Sequence, residues 1–383
     1  MKAERFISRK LTFQGNIAAV AIAVSFFVII VAVAVSSGFR NTIRDGVAAM
    51  TGDIRIEPLA TGDGEPVPMP RHLPSEEALR ALPGVVDITP AAVRAGIVKS
   101  GEVIHGVVVK GLERQDSTLC VSIPSRLAEI TGLGVGDPLT IYFIGERLRV
   151  RKFTVSQVHR DLLEMDDNLF VYANLEDIQR LNGWSGEEVS CLEVRVRNAA
   201  RQAVDGLTGQ IGHILLNSGH EEEVNLYVSS AVHTYPQVFD WLDLLDFNVL
   251  VILLLMTVVA GFNMISGLLI MLLRNIPLIG TLKTLGMSDR SIGKVFVQSG
   301  AVTVFKGMVA GNVLALLFCL VQGTTHLIPL DPENYFVSWV PVHVSLPGIL
   351  LADVSAYLMI LLLLWLPTRM IARIDPARTV KAD

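Results

Sequence analysis

Four apolar runs limit what this chain can fold into. They occupy residues 16–37, 246–273, 295–321 and 346–367. Each holds about 20 residues or more, enough for a helix to cross a hydrocarbon core of about 30 Å. Backbone in lipid has no water to bond to, so a spanning segment must satisfy its own N–H and C=O groups, and runs of this length do so as helices. The chain is 51% hydrophobic and 18% charged over 383 residues, with the apolar residues gathered in these runs. The expected architecture is an α-helical membrane protein with four transmembrane helices. A large α+β domain, residues 38–245, is inserted between helices 1 and 2. The first run, "IAAVAIAVSFFVIIVAVAVSS", is longer than the apolar core of a signal peptide and no clear small-x-small site follows it. It reads as a retained anchor.

Lysine and arginine placement predicts the topology. The N-terminal segment 1–15 carries Lys2, Arg5, Arg9 and Lys10, and the tail 368–383 carries Arg369, Arg373, Arg378 and Lys381. Segment 274–294 carries Arg274, Lys283, Arg290 and Lys294, whereas 322–345 has neither residue type. Both termini and 274–294 are therefore expected in the cytoplasm, and 38–245 and 322–345 on the outer side.

Within 38–245, strand-like and helix-like stretches alternate. "GDIRIEP" reads as a strand, and "PSEEALRALPGV" as a short helix with Ser75 as its N-cap. "AVRAGIVKS" and "VIHGVVVKGL" read as a strand pair across 100–102, and "NLEDIQRLNG" as a capped helix. The segment is expected to form an α+β domain, as one body or as two lobes joined near residue 120. The ends differ: Phe39, Ile43, Val47 and Met50 follow the first span, and Val238, Leu242, Leu245, Val249 and Ile252 enter the second at spacings of four, three, four, three. That pattern predicts helical extensions forming a stalk, the alternative being ordinary core packing against the base of the domain.

The chemistry-bearing motifs are missing. There is no G-x-x-x-x-G-K-[ST] phosphate loop, no H-E-x-x-H and no G-x-S-x-G. The carboxylates in "LLEMDDNLF" read as an exposed turn and those in "HEEEV" as a solvated run. Cys120 and Cys191 share the external segment without a motif, and their pairing stays open. No catalytic residue, metal or cofactor is expected in this chain, and no nucleic-acid partner. Two charges fall inside spans, Lys306 and Asp353, at depths a few ångströms apart by helical rise, about 1.5 Å per residue. Such charges are costly in lipid, and two readings are open: the two pair with each other, or Lys306 snorkels and Asp353 sits near the outer interface.

Between spans two and three lies "LLRNIPLIGTLKTLGMSDRSIGKVF". A short helix here, with Ile279, Leu282 and Leu285 on one side and Lys283 on the other, would suit a membrane surface or a groove on a partner. Its "IGTLKTLGMS" core resembles the cytoplasmic coupling element of the FtsX/MacB-like ABC transporter permeases. "FNMISGLLIMLL", "LDPENYFVSWVPVHVSL", "FISRKL" and "DPARTV" resemble the lipoprotein-releasing LolC/LolE-type branch. The family's acidic residue before Ile-Gly has no counterpart in "RNIPLIG", where Pro277 stands.

The resemblance implies ATPase-coupling residues at Ile276, Pro277, Ile279, Gly280, Leu282, Lys283, Leu285 and Gly286. It implies a permease subunit of the bacterial inner membrane, with ATP and Mg bound by a separate LolD-like ATPase. It further implies a second permease chain (identical or different), lipoprotein cargo, a periplasmic LolA-like chaperone and surrounding lipid. Phe39, Ile43, Leu242, Leu245 and Phe247 are candidates for an apolar cleft that takes acyl chains; the alternative is that they only hold the stalk together. The alternative is a mechanotransmitter of the same fold that regulates a periplasmic hydrolase or exports a peptide or toxin.

Overall fold

A computed structural model describes residues 16–59, 66–100, 103–113, 118–143, 145, 148–160, 163, 169–197 and 200–368. The basic residues of 1–15 and 369–383, and most of "LLEMDDNLF", lie outside these. The described elements run in the order α1 Asn16–Thr51, β1 Ile54–Pro58, β2 Met69–Pro70, α2 Glu76–Arg80, β3 Val85–Ser100, β4 Val103–Leu112, β5 Cys120–Pro124, α3 Ser125–Thr131. They continue β6 Pro138–Phe143, β7 Arg149–His159, β8 Leu169–Asn174, α4 Leu175–Asn182, β9 Glu188–Val189, β10 Cys191–Val196, α5 Arg201–Leu216, α6 Glu221–Val224, β11 Leu226–Ser230, α7 Ala231–Thr234. The last are α8 Pro236–Arg274, α9 Ile276–Thr284, α10 Asp289–Thr325, α11 Pro332–Tyr335, α12 Leu346–Leu363 and α13 Trp365–Thr368. Two compact units result. Among the described residues, one lies within 1–40, 241–329 and 339–383, the other within 41–240 and 330–338.

The second unit is built on one nine-stranded sheet in the order β11-β1-β10-β3-β4-β8-β5-β7-β6. Sequence left two lobes joined near residue 120 as one of two possibilities. The sheet is continuous because β3, at 16 residues, serves two neighbours. Its first half pairs with β10 (Ile88↔Val194) and its second with β4 (Ala92↔Gly111 to Ser100↔Val103). β3 also pairs with β6 at Ile97↔Tyr142, which closes β3-β4-β8-β5-β7-β6 on itself and removes two free edges. Most pairs are antiparallel, but β4–β8 and β5–β7 are parallel. Val204, Leu207, Ile211 and Leu215 recur on one face of α5 and are buried in the same core as Ile54, Ile56 and Val194.

Asn174 caps α4, its side chain accepting from the Glu176 N–H, and Gly183 ends it in the left-handed region. Ser75 departs from expectation. It makes no side-chain cap, and instead its N–H and hydroxyl donate to Glu223 at 2.8 and 2.6 Å. Glu223 is fully buried rather than part of a solvated run, because it satisfies these donors. Cys120 and Cys191 are both free thiols.

The first unit contains the four candidate spans, in helices α1, α8, α10 and α12 continuing into α13. Ile22, Phe26, Ile29 and Ile30 of α1 share a core with Ala260, Met264 and Leu268 of α8, Phe296 of α10, and Ile349, Ala352, Ala356 and Ile360 of α12. Gly307 and Gly311, one turn apart, let α10 approach α1 backbone to backbone. A Cβ at Gly311 would stand 2.4 Å from the Ala23 carbonyl oxygen, and one at Gly307 2.7 Å from Ile22 Cγ2. Small residues at this spacing replace the hydrophobic drive that lipid cannot supply.

Candidate functional site

The loop between α8 and α10 is the best-defined candidate site. Pro277 sits in the first turn of α9, where a missing N–H costs nothing. The helix ends in a Schellman motif: the Gly286 N–H donates to the Lys283 carbonyl at 2.9 Å and the Met287 N–H to the Leu282 carbonyl at 3.0 Å. Gly286 has φ +84°, a conformation that suits glycine. Ser288 then caps α10, accepting from the Ser291 N–H. Two helices therefore meet at a tight corner fixed by local bonds.

The face that α9 presents differs from the expected one. Ile279 is fully buried, Gly280 is buried, and Leu282 packs against the same helical core. Lys283 turns to Asp289, Nζ to Oδ1 2.9 Å, with its side chain largely covered. Ile276 is half-buried. What α9 offers outward is Pro277, Leu278, Thr281, Thr284, Leu285 and Gly286, with Leu278 37% and Leu285 78% exposed. These positions fall on one side at helical spacing. Leu278 was missed by sequence reasoning. The single signal for it was its position seven residues before Leu285.

The expected cleft residues behave unequally. Phe39, Ile43 and Leu242 are buried, Leu245 is half-buried, and Phe247 is 62% exposed. Phe39 packs edge-on against Trp241, with ring centroids 5.5 Å apart. Beside them, Asp246 accepts from Ser36 Oγ at 2.7 Å and pairs with Arg40, so α1 and α8 are tied by polar bonds as well as by rings. On the seam of α8, Val238, Leu242, Leu245 and Val249 face inward, but Ile252 is 38% exposed. Leu253 takes its place against the core. An α-helix turns at 3.6 residues, so a strict four-three pattern drifts by about 20° per heptad and leaves its face after about four turns.

The chain does not bring Lys306 to Asp353. Asp353 is 6% exposed and accepts from Asn312 Nδ2 at 2.5 Å. Lys306 lies on the outward face of α10 beside Phe305 and Val309. Asn312 lies six residues beyond Lys306, about 9 Å further along α10, so the pairing reading misses in depth as well as in the angle around the bundle.

In the sheet unit, Lys110 on β4 is 1% exposed and pairs with Glu193 on β10 at 2.7 Å. Burial pushes the Glu193 carboxyl above the usual range, and Lys110 opposes that rise. Both residues line a cavity of ≈ 760 Å³ with Ala49, Met50 and Gly52. No motif marks either residue in the sequence.

Residues 250–376 match the family of FtsX-like permease C-terminal domains. The chain is 22% identical over 409 residues to the lipoprotein-releasing system transmembrane protein LolC of Xylella fastidiosa, covering 97% of this chain and 95% of that protein. It is 22% identical over 406 residues to the transmembrane protein LolE of the same kind of system from Haemophilus influenzae, covering 96% and 94%. The periplasmic region of MacB from Actinobacillus actinomycetemcomitans aligns at 16% identity and a TM-score of 0.29, covering 49% of this chain and 92% of that one. The resemblance to FtsX-like permeases holds, and α9 lies inside the matched residues.

Proposed function

We propose that this FtsX-like permease chain is the membrane subunit of an ABC machine that extracts lipoproteins from the bacterial inner membrane. A LolD-like ATPase docks on α9, and a second permease chain, identical or different, completes the pair. ATP and Mg belong to that ATPase. The termini and α9 face the cytoplasm and the sheet unit faces the periplasm. Cargo passes to a LolA-like carrier there. The observation that carries this reading is the outward face of α9, where Leu278 and Leu285 stand exposed on a helix whose other side is locked into the bundle. Near full-length similarity to proteins named for lipoprotein release supports the choice of cargo. Motion of the ATPase pair reaches the sheet unit through α1 and α8, each one helix from its span to its end.

The test is a pull-down of the tagged chain from detergent, with and without Leu285→Glu. Leu285 touches little of its own fold, so the substitution spares folding. The wild type should recover an ATPase chain and acylated proteins, and the variant should lose the ATPase. No ATPase with either protein would overturn the reading. An ATPase recovered with a hydrolase or peptide, and no acylated protein, would shift it to a regulator or exporter of the same fold.

A further inference from the structure

Helix α1 ends against a single buried ammonium. Lys110 Nζ donates to the Ala49 carbonyl at 3.1 Å, the Met50 carbonyl at 2.9 Å and Glu193 Oε2 at 2.7 Å. Lysine has three N–H donors, so all are used. The last carbonyls of a helix have no partner within it and carry the negative end of its dipole. Lys110 satisfies two of them at once. β4 and β10 both pair with β3, so one ion pair ties the helix end to two strands flanking the longest strand in the sheet. Around it the chain is held closely. Gly52, at φ +75°, donates to the Ala48 carbonyl at 2.9 Å, and a Cβ there would lie 2.9 Å from Glu193 Cβ. Asp53 accepts from the Val196 N–H at 2.9 Å.

We infer that Lys110 is a positioning residue, the joint through which displacement of α1 becomes displacement of the sheet. This rests on the transport reading above. α1 is uninterrupted from Asn16 to Thr51 and contains no proline, so movement of its membrane part arrives at residues 49–51. Whether the sheet follows depends on that end contact. Apolar contacts are non-directional, whereas three hydrogen bonds to one ammonium fix both distance and angle. Stability alone does not explain the arrangement. A buried ion pair is generally no more stabilising than apolar side chains of the same volume, because both charges must be desolvated. The geometry it fixes is what the apolar pair would lack.

The experiment uses the double variant Lys110→Met/Glu193→Met, assembled with the ATPase chain that co-purifies with the permease, in liposomes carrying a triacylated lipoprotein. The ATPase rate should hold, and the midpoint of thermal unfolding should fall by no more than a few degrees, because the Ala49 and Met50 carbonyls lose their donor. Amide exchange at residues 50–53 should rise about tenfold as the helix end frays. ATP-dependent release of the lipoprotein should fall by about tenfold or more. Undiminished release in a variant whose helix end has loosened would overturn the joint, as would unchanged exchange. Should the double variant fail to fold, Glu193→Gln carries the test: it keeps an acceptor for Lys110 but removes its counter-charge. Slower release at an unchanged ATPase rate is then expected, and unchanged release overturns the proposal. If the wild type itself releases no lipoprotein, the transport reading fails, and the exchange result alone decides the joint.

Discussion

Asn312 Nδ2 donates to Asp353 Oδ2 at 2.5 Å, across two membrane helices, and this bond is what holds the buried carboxyl. Asp353 Oδ1 and Asn312 Oδ1 have no hydrogen-bond partner among the described residues. Removing Asn312 would leave the carboxyl with nothing. Asn312→Leu should cost about 1–3 kcal/mol, the penalty of a buried polar group stripped of its partner. Lys306→Leu, on the outward face, should cost far less. Denaturant unfolding of both variants in the same detergent distinguishes them, and equal losses would refute the assignment.

Helix α9 should separate into a structural side and a docking side. Ile279→Ala removes a fully buried side chain and should destabilise by about 2–5 kcal/mol. Leu285→Ala should leave the unfolding midpoint in place and weaken recovery of the ATPase. A Leu285→Ala variant that unfolds early would mean its side chain is part of the fold.

Gly311 and Gly209 should respond to alanine in opposite senses. At Gly311 a methyl would meet the Ala23 carbonyl at 2.4 Å, and α10 must shift away from α1, costing about 1–3 kcal/mol. Gly209 sits exposed in α5 with open space around its would-be Cβ, and alanine there should stabilise by about 1 kcal/mol through helix propensity. Thermal melts of the two single variants give the signs directly.

Cys191 should resist alkylation. Burial pushes its thiol up to about 12, so it carries almost no thiolate at ordinary pH. Iodoacetamide at about pH 8 should spare it in the folded protein and label it after denaturation. Cys120, half-buried, should react first. Rapid native labelling of Cys191 would show that β10 opens.

Asp53 links stability to pH. Burial raises its carboxyl above the ordinary range, against the pull of the Val196 N–H and Arg44. The folded chain therefore takes up this proton at higher pH than the unfolded one. Its contribution to stability is complete below the unfolded carboxyl value, near about pH 4, and is lost as pH rises through the folded value. The stability of wild type minus Asp53→Asn should accordingly fall from acid toward neutral pH. A difference that rises instead would mean the Arg44 and Val196 contacts outweigh burial.

The turn chemistry of α9 was legible from neighbours in sequence. Pro277 in the first turn and Gly286 just past the end mark both limits of the helix. The orientation was not legible, because Ile279, Leu282 and Leu285 share a stripe while the bundle covers only the first two. The same holds for Asp353. Residue count put Lys306 level with it, but the packing of α10 against α12 sets both the axial offset and the rotation, and these place Asn312 beside it.

By itself the sequence determined four helices long enough to span, the run of strands between the first and second, and the capped ends of α4. Each of these depends on hydropathy over about 20 residues or on bonds within a few positions of the chain. The tertiary structure alone decided that β3 pairs on both flanks, that the outward face of α9 carries Leu278 and Leu285, and that Lys110 meets both Glu193 and the end of α1. Lys110 and its partners are 60 to 83 positions apart. Local periodicity carries no record of such distances, and only the packed chain brings a buried charge to the acceptors that satisfy it.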